Sequence, residues 1–195
     1  AAAKTDESGA PIWVYCVEYG TPIESYNRRT ATGLAESAVW QNLGETQKRG
    51  ILLATLYGCP VSDLGASTAD AYAATQALIW EFQTGIRKTL SAEGKEEASY
   101  RGGVLEKTRF TAMLEGKAGM GAYQTLVQKV AQHETVPSFS GREVLLDYHP
   151  ESGTYRSVLS DENSVLAEYR IQTAGQALTL TPEGNTLVLE SETPV

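Results

Sequence analysis

Two short stretches of the chain hold residue types from which covalent chemistry can be built. Tyr15–Cys16–Val17–Glu18 carries one of only two cysteines, and Thr75–Gln76–Ala77–Leu78–Ile79–Trp80–Glu81 sets a glutamine among alanines. A cysteine thiol is intrinsically a strong nucleophile. A glutamine on a mostly apolar helix face needs a partner, because an unpaired buried amide costs about 1–3 kcal/mol. The other candidate groups are Cys59, His133 and His149. On these residues alone, three chemistries stay open. Cys16 and Cys59 can form a disulfide, which suits an extracellular protein. Both can be free thiols packed as small apolar residues. Either can pair with a histidine as a hydrolase or transferase nucleophile. No CxxC or HExxH spacing occurs, so neither a metal nor a cofactor is expected. Asp161, Glu162 and Asn163 lack the full ligand ladder of a calcium loop and read as a solvated hairpin turn.

Taken together, the two stretches resemble the thioester domains of Gram-positive surface adhesins. In that family a cysteine in a Tyr-Cys-apolar context joins the glutamine of a Thr-Gln-x-Ala-apolar-Trp motif. Here the helix reads TQALIW, so Ala77 follows the glutamine and Leu78 takes the usual alanine place. ILLATLYGCP, residues 51–60, is similar to the family's apolar helix ending in Tyr-Gly-aromatic-Pro, with Cys59 in place of the aromatic residue. HETVPSF (133–139) and SDENSVL (160–166) are similar to recurrent pieces of the larger members, which extends the resemblance from Trp13 to the final strands. The resemblance implies an internal thioester between Cys16 and Gln76, with Tyr15, Thr75, Trp80 and Glu81 in supporting positions. It further implies a monomeric covalent adhesin on the bacterial cell surface, acting once on a lysine amine of a host surface or matrix protein. The competing function is a non-covalent extracellular adhesion module, with a Cys16–Cys59 disulfide or free buried cysteines.

Such a bond requires thiol and carboxamide carbon in contact, with ammonia leaving. An amide is a poor electrophile, so fixed geometry has to supply much of the advantage. Residues 11–19 are rich in β-branched and aromatic types and read as a strand. Alternation puts Ile12, Val14, Cys16 and Glu18 on one face and Trp13, Tyr15, Val17 and Tyr19 on the other, both largely apolar, as in a strand buried on two sides. Gly20–Thr21–Pro22 ends it. Residues 67–85 read as a helix, with Ser67 as N-cap and Asp70 in the first turn. Helical spacing places Tyr72, Gln76, Ile79, Trp80 and Gln83 on one face. Ala73, Ala74 and Ala77 flank Gln76 and would let the strand backbone approach. Trp80 and Tyr15 are expected to shield the bond from water. Thr75, Tyr15 and Glu81 are expected to position groups or move a proton.

Around these elements the pattern is strand, helices, then strands. Residues 46–57, 105–114 and 122–133 read as helices, and 93–103 as a solvated connector. From Arg142 onward EVLLDYH, TYRSVLS, VLAEYRIQT, ALTLT and TLVLE alternate with turn clusters, as in a β-meander or part of a sandwich. The expected class is α+β, a helical subdomain inserted in or packed against the β-subdomain, with the reactive bond between the two. Residues 1–10 read as a disordered arm and 11–195 as one domain: a cysteine strand at 11–20, a helical part at 34–135 and a β-rich part at 140–195. The 195 residues carry 16 basic and 24 acidic side chains, a net charge of −8 that disfavours nucleic acid as a partner. No apolar run nears the roughly 20 residues of a membrane helix, so membrane insertion is not expected. Every lysine lies between Lys4 and Lys129, so the β-rich part offers no internal amine to a thioester.

Overall fold

The computed structural model describes residues 4–5, 11–21, 33–100, 102–173 and 177–194, and the chain falls into two compact units, residues 1–133 and 134–195. In the first unit, two-residue strands β1 (Lys4–Thr5) and β2 (Pro11–Ile12) pair antiparallel. Then come α1 (Ala38–Gln41), α2 (Glu45–Tyr57), α3 (Thr68–Gln83), a hairpin of β3 (Ala98–Tyr100) and β4 (Gly103–Leu105), and α4 (Ala118–Gln132). α3 starts where its cap chemistry dictates: Ser67 Oγ accepts the Asp70 N–H at 3.2 Å. It stops at Thr84, followed by Gly85 at φ +75°, a left-handed position that suits glycine. Gln47, in the first turn of α2, donates to the Phe82 and Gln83 carbonyls at 2.9 and 3.0 Å. The Gln83 carbonyl thereby gains a partner, and the Phe82 carbonyl, which already accepts the Gly85 N–H at 3.0 Å, gains a second.

α3 is buried nearly all round, with Ala71, Ala74, Ala77, Leu78, Ile79 and Phe82 fully enclosed, so it serves as the axis of the unit. α2 packs against it closely because Gly50 has no side chain; a Cβ there would lie 2.3 Å from the Phe82 ring. α4 adds Ala122, Leu126 and Val130 to the same core.

Several expected elements are reshaped. The strand at 11–19 is a ladder strand only at Pro11–Ile12; residues 13–17 are extended with no strand beside them, and Trp13 and Val14 are 36% and 41% exposed. Pro22 lies outside the described residues, as does most of the expected arm. Within that arm Lys4–Thr5 form β1 rather than disordered chain. The supposed connector at 93–103 contributes the β3–β4 hairpin. Residues 105–114 supply the end of β4 and a 3₁₀ turn, Ala112–Leu114, rather than a helix, and α4 begins four residues before the expected 122.

The second unit is a four-stranded antiparallel sheet: β5 (Asp147–His149), β6 (Thr154–Ser160), β7 (Thr179–Glu183) and β8 (Thr186–Ser191), in the order β5-β6-β8-β7. Val158 stands opposite Val188, and Leu187 and Leu189 pack with Leu166. The stretch VLAEYRIQT is not a strand but turns through a 3₁₀ segment, Leu166–Glu168. Asp161 is the reason. Its buried carboxylate accepts the backbone N–H groups of Ser138, Asn163, Val165 and Leu166 at 2.7–3.0 Å. Residues 162–164 form an exposed turn as expected, but Asp161 itself is buried and holds the turn together. The α+β class stands. Cys16 and Gln76, however, both belong to the first unit, so the pair is not divided between a helical and a β-rich part.

Gly50→Ala is expected to destabilise the first unit. Overpacking against a buried ring costs about 1–3 kcal/mol and outweighs the roughly 1 kcal/mol that alanine gains in a helix. A melting temperature below wild type checks this. Burial opposes the Asp161 charge, but four N–H donors outweigh it and hold the carboxyl below the usual aspartate range. That stabilisation is complete above the unfolded value of about 3.9 and is lost as pH falls through the folded one. Asp161→Asn is therefore expected to lower the melting temperature at neutral pH and to flatten its decline in acid, as read by thermal melts from pH 7 to about pH 2.

Candidate functional site

Gln76, on α3 and 7% exposed, meets the extended segment at Cys16. The Cys16 N–H donates to Gln76 Oε1 at 2.8 Å, and Gln76 Nε2 donates to the Cys16 carbonyl at 2.8 Å. One carboxamide thus offers an acceptor and a donor to both peptide groups of one residue, as a neighbouring strand would. On either side the same helix continues the pairing. Tyr72 donates its hydroxyl to the Val14 carbonyl at 2.6 Å, and Gln83 Oε1 accepts the Tyr19 N–H at 3.1 Å. Backbone groups without a sheet partner are satisfied by side chains instead. The Cys16 thiol is half-buried, with Sγ 3.4 Å from the Glu18 carbonyl. Aromatic rings wall the segment. Tyr15 stacks on Tyr72 at 4.8 Å and 14°, and Tyr19 meets Trp80 and Phe110 edge-on at 5.5 and 4.8 Å.

Tyr15 and Thr75 act beside this pair, through Cys59. The Tyr15 hydroxyl donates to the Cys59 carbonyl, and burial pushes its ionisation far above the phenol range, so it remains a donor. Thr75 Oγ1 accepts the Cys59 N–H at 3.1 Å and donates to the Ala71 carbonyl at 2.8 Å. A Cβ on Gly58 would sit 2.4 Å from that oxygen, so glycine is what lets the turn close onto α3. Cys59 is buried and its thiol is pushed up by that burial, which makes it a poor nucleophile. Both cysteines are free; the disulfide is not formed. Trp80 packs with Tyr19 and Phe110, and its buried indole N–H has no partner among the described residues.

Glu81 is not brought to Cys16. Its fully buried carboxylate pairs with Arg87 Nε at 3.1 Å and Lys95 Nζ at 2.6 Å, and accepts the Tyr123 hydroxyl at 2.9 and 2.7 Å. Burial and that carboxylate both push the Tyr123 hydroxyl up. Lys95, from the stretch expected to be solvated, is drawn inward by this charge, with its ammonium 4.7 Å from the Tyr123 ring centroid. Breaking a buried ion pair on one side is strongly unfavourable, which is why three partners converge on one carboxylate. His133 hydrogen-bonds Tyr57 at 2.7 Å, and His149 is 3.3 Å from Glu151. Among the described residues no group of three His, Cys, Asp or Glu side chains gathers where a metal ion could sit.

Tyr72 and Gln83 are contacts to the Cys16 segment that residue types alone did not single out. Their helix face was visible from spacing, but the acceptor and donor on the opposing segment belong to its backbone, which leaves no mark in the sequence.

The thioester domain family model matches residues 13–106. That span contains the extended segment, α2, α3 and the β3–β4 hairpin; the similarities seen further on, at 133–139 and 160–166, fall outside it. No curated protein and no solved structure matches the chain. No helix among the described residues is long and apolar enough to cross a membrane. Over residues 13–106, which carry both Cys16 and Gln76, the chain is similar to the thioester domain family.

Proposed function

We propose that Cys16 and Gln76 condense to an internal thioester, which then captures an amine on a partner protein. The observation that carries this is the two-point pairing of the Gln76 carboxamide with the Cys16 backbone at 2.8 Å on each side. It keeps the thiol-bearing residue and the electrophilic carbon together before any bond forms, which is where proximity gains its rate. The Cys16 N–H sits on Oε1, the atom that takes up negative charge as sulfur adds to the carbonyl carbon. The thiol sulfur bonds to Gln76 Cδ, the Cδ–Nε2 bond breaks, and nitrogen departs with the thiol proton as ammonia. Tyr15, Tyr19 and Tyr72 limit the access of water, the competing nucleophile.

In the second step an amine adds to the same carbon and displaces Cys16. An amide forms between Gln76 and the partner, and the cysteine takes back a proton as free thiol. Each chain reacts once. A lysine side chain is the abundant protein amine, and a host surface or matrix protein is the partner that the family's adhesin character suggests. The domain would act alone, as a monomer on the bacterial cell surface. Thr75 and Tyr15 support the chemistry by fixing the 58–59 turn against α3, and Trp80 by packing on Tyr19; Glu81 supports it only by anchoring the far side of the helix.

Thiol counting under denaturing conditions, with and without methylamine, tests this. The thioester leaves one free thiol, Cys59; methylamine raises the count to two and adds one methylamide, located at Gln76 by peptide mass analysis. Gln76→Ala is expected to show two thiols throughout and to take up no methylamine. Two thiols in the untreated wild type, with no uptake, contradict the proposal, and none indicates the disulfide.

A further inference from the structure

Tyr72, Gln76 and Gln83 lie on one face of α3, and their side chains bond in order to residues 14, 16 and 19 of the extended segment. The two spacings match over the first two points. From residue 72 to 76 the helix rises about 6 Å at 1.5 Å per residue, and from 14 to 16 an extended chain advances about 6.6 Å at 3.3 Å per residue. The third point, at Tyr19, is reached as the segment bends at Glu18 into the turn closed by the Thr21 N–H on the Glu18 carbonyl at 3.3 Å. Helix and segment therefore run side by side in the same direction, with side chains standing in for a missing strand at three points.

The middle point differs from the other two. Gln76 is the residue that the condensation consumes: when Nε2 leaves as ammonia, its hydrogen bond to the Cys16 carbonyl goes with it. The outer two ties are untouched by the reaction. We propose that Tyr72 and Gln83 are positioning residues of this chemistry, the outer ties that hold the Cys16 peptide in register on Gln76 while one of the inner hydrogen bonds is lost. This rests on the thioester reading above. Tyr72 acts through the Val14 carbonyl and through the ring stack that carries Tyr15; Gln83 acts through the Tyr19 N–H. Neither hydrogen-bonds to the reacting atoms, although the Cys16 thiol is close enough to Tyr72 to act on its hydroxyl electrostatically. Their effect is on whether sulfur meets carbon in the geometry that lets an amide react, where a misplacement of about 1 Å can cost a hundredfold in rate.

Three single variants of the full chain separate positioning from plain stability. Tyr72→Phe keeps the ring and removes the donor; Gln83→Met keeps the length and removes the acceptor; Gln83→Glu keeps an oxygen for the Tyr19 N–H. Each is assayed after a fixed time from folding for the fraction that has lost ammonia, at a temperature well below its melting point. Wild type and Gln83→Glu are expected to be fully converted, whereas Tyr72→Phe and Gln83→Met condense about ten- to a hundredfold more slowly. Backbone hydrogen exchange at Cys16 and Tyr19 in Gln76→Ala provides a readout that needs no thioester. Adding Gln83→Met to that background should speed Tyr19 exchange, and adding Gln83→Glu should not. Full conversion in Tyr72→Phe and Gln83→Met, or Tyr19 exchange indifferent to residue 83, overturns the inference. Absence of ammonia loss in wild type itself removes the underlying thioester reading, a distinguishable failure.

Discussion

The Cys16 peptide group lies half-buried with no strand beside it, and its N–H and C=O still have to be satisfied. The carboxamide of Gln76 satisfies both, at 2.8 Å each. Much of the first unit can be understood as what that pairing demands. The segment must approach α3 closely, which the small residues Ala73 and Ala77 beside Gln76 permit. The helix must not yield, which its near-complete burial ensures. Its end must not fray, which the Gln47 side chain secures by taking two of its last carbonyls. A flexible loop could bring the same two residues together only now and then; here the fold holds the Gln76 carboxamide against the Cys16 backbone.

The buried charge cluster on the other side of α3 belongs to the same logic. Glu81 sits one residue after Trp80, yet it turns away from the extended segment and gathers Arg87, Lys95 and Tyr123. A cluster of this kind adds little net stability over a well-packed apolar alternative, but it is costly to disrupt. Its consequence is to tie α3 to the 87–95 turn and to α4, so the helix is held from the side opposite Gln76. It also takes Lys95 out of circulation, and a lysine bound to a buried carboxylate is a poor internal nucleophile for an acyl group nearby.

How much of this was legible depended on whether the signal lay in side chains or in backbone. The bounds of α3 could be read from Ser67, Asp70 and Gly85 because capping chemistry is local. Cys16 and Gln76 stood out as a pair through the resemblance to the thioester domains, since residue types alone left a disulfide, free thiols or a histidine-assisted nucleophile open. The strand expected at 11–19 was half right. β-branched and aromatic residues encode an extended backbone, and residues 13–17 are extended, but they do not encode what pairs with it, and a helix supplied the partners. Glu81 and Lys95 were misjudged for a related reason. Charge in a sequence suggests solvent, and only the fold reveals that an acid at 81 meets bases at 87 and 95. Asp161 misled in the same way, since four backbone donors from around it carry no residue-type signature.

The function turns on whether the carboxamide of Gln76 still carries its nitrogen in the mature protein. Intact mass of the freshly folded chain, measured without reductant or added amine, answers this directly. A mass lighter than the sequence by one ammonia, restored to the full value in Cys16→Ala after allowance for the substitution, is the expected result. A wild-type chain at its full sequence mass, with Cys16 and Cys59 both titrating as thiols, would contradict it.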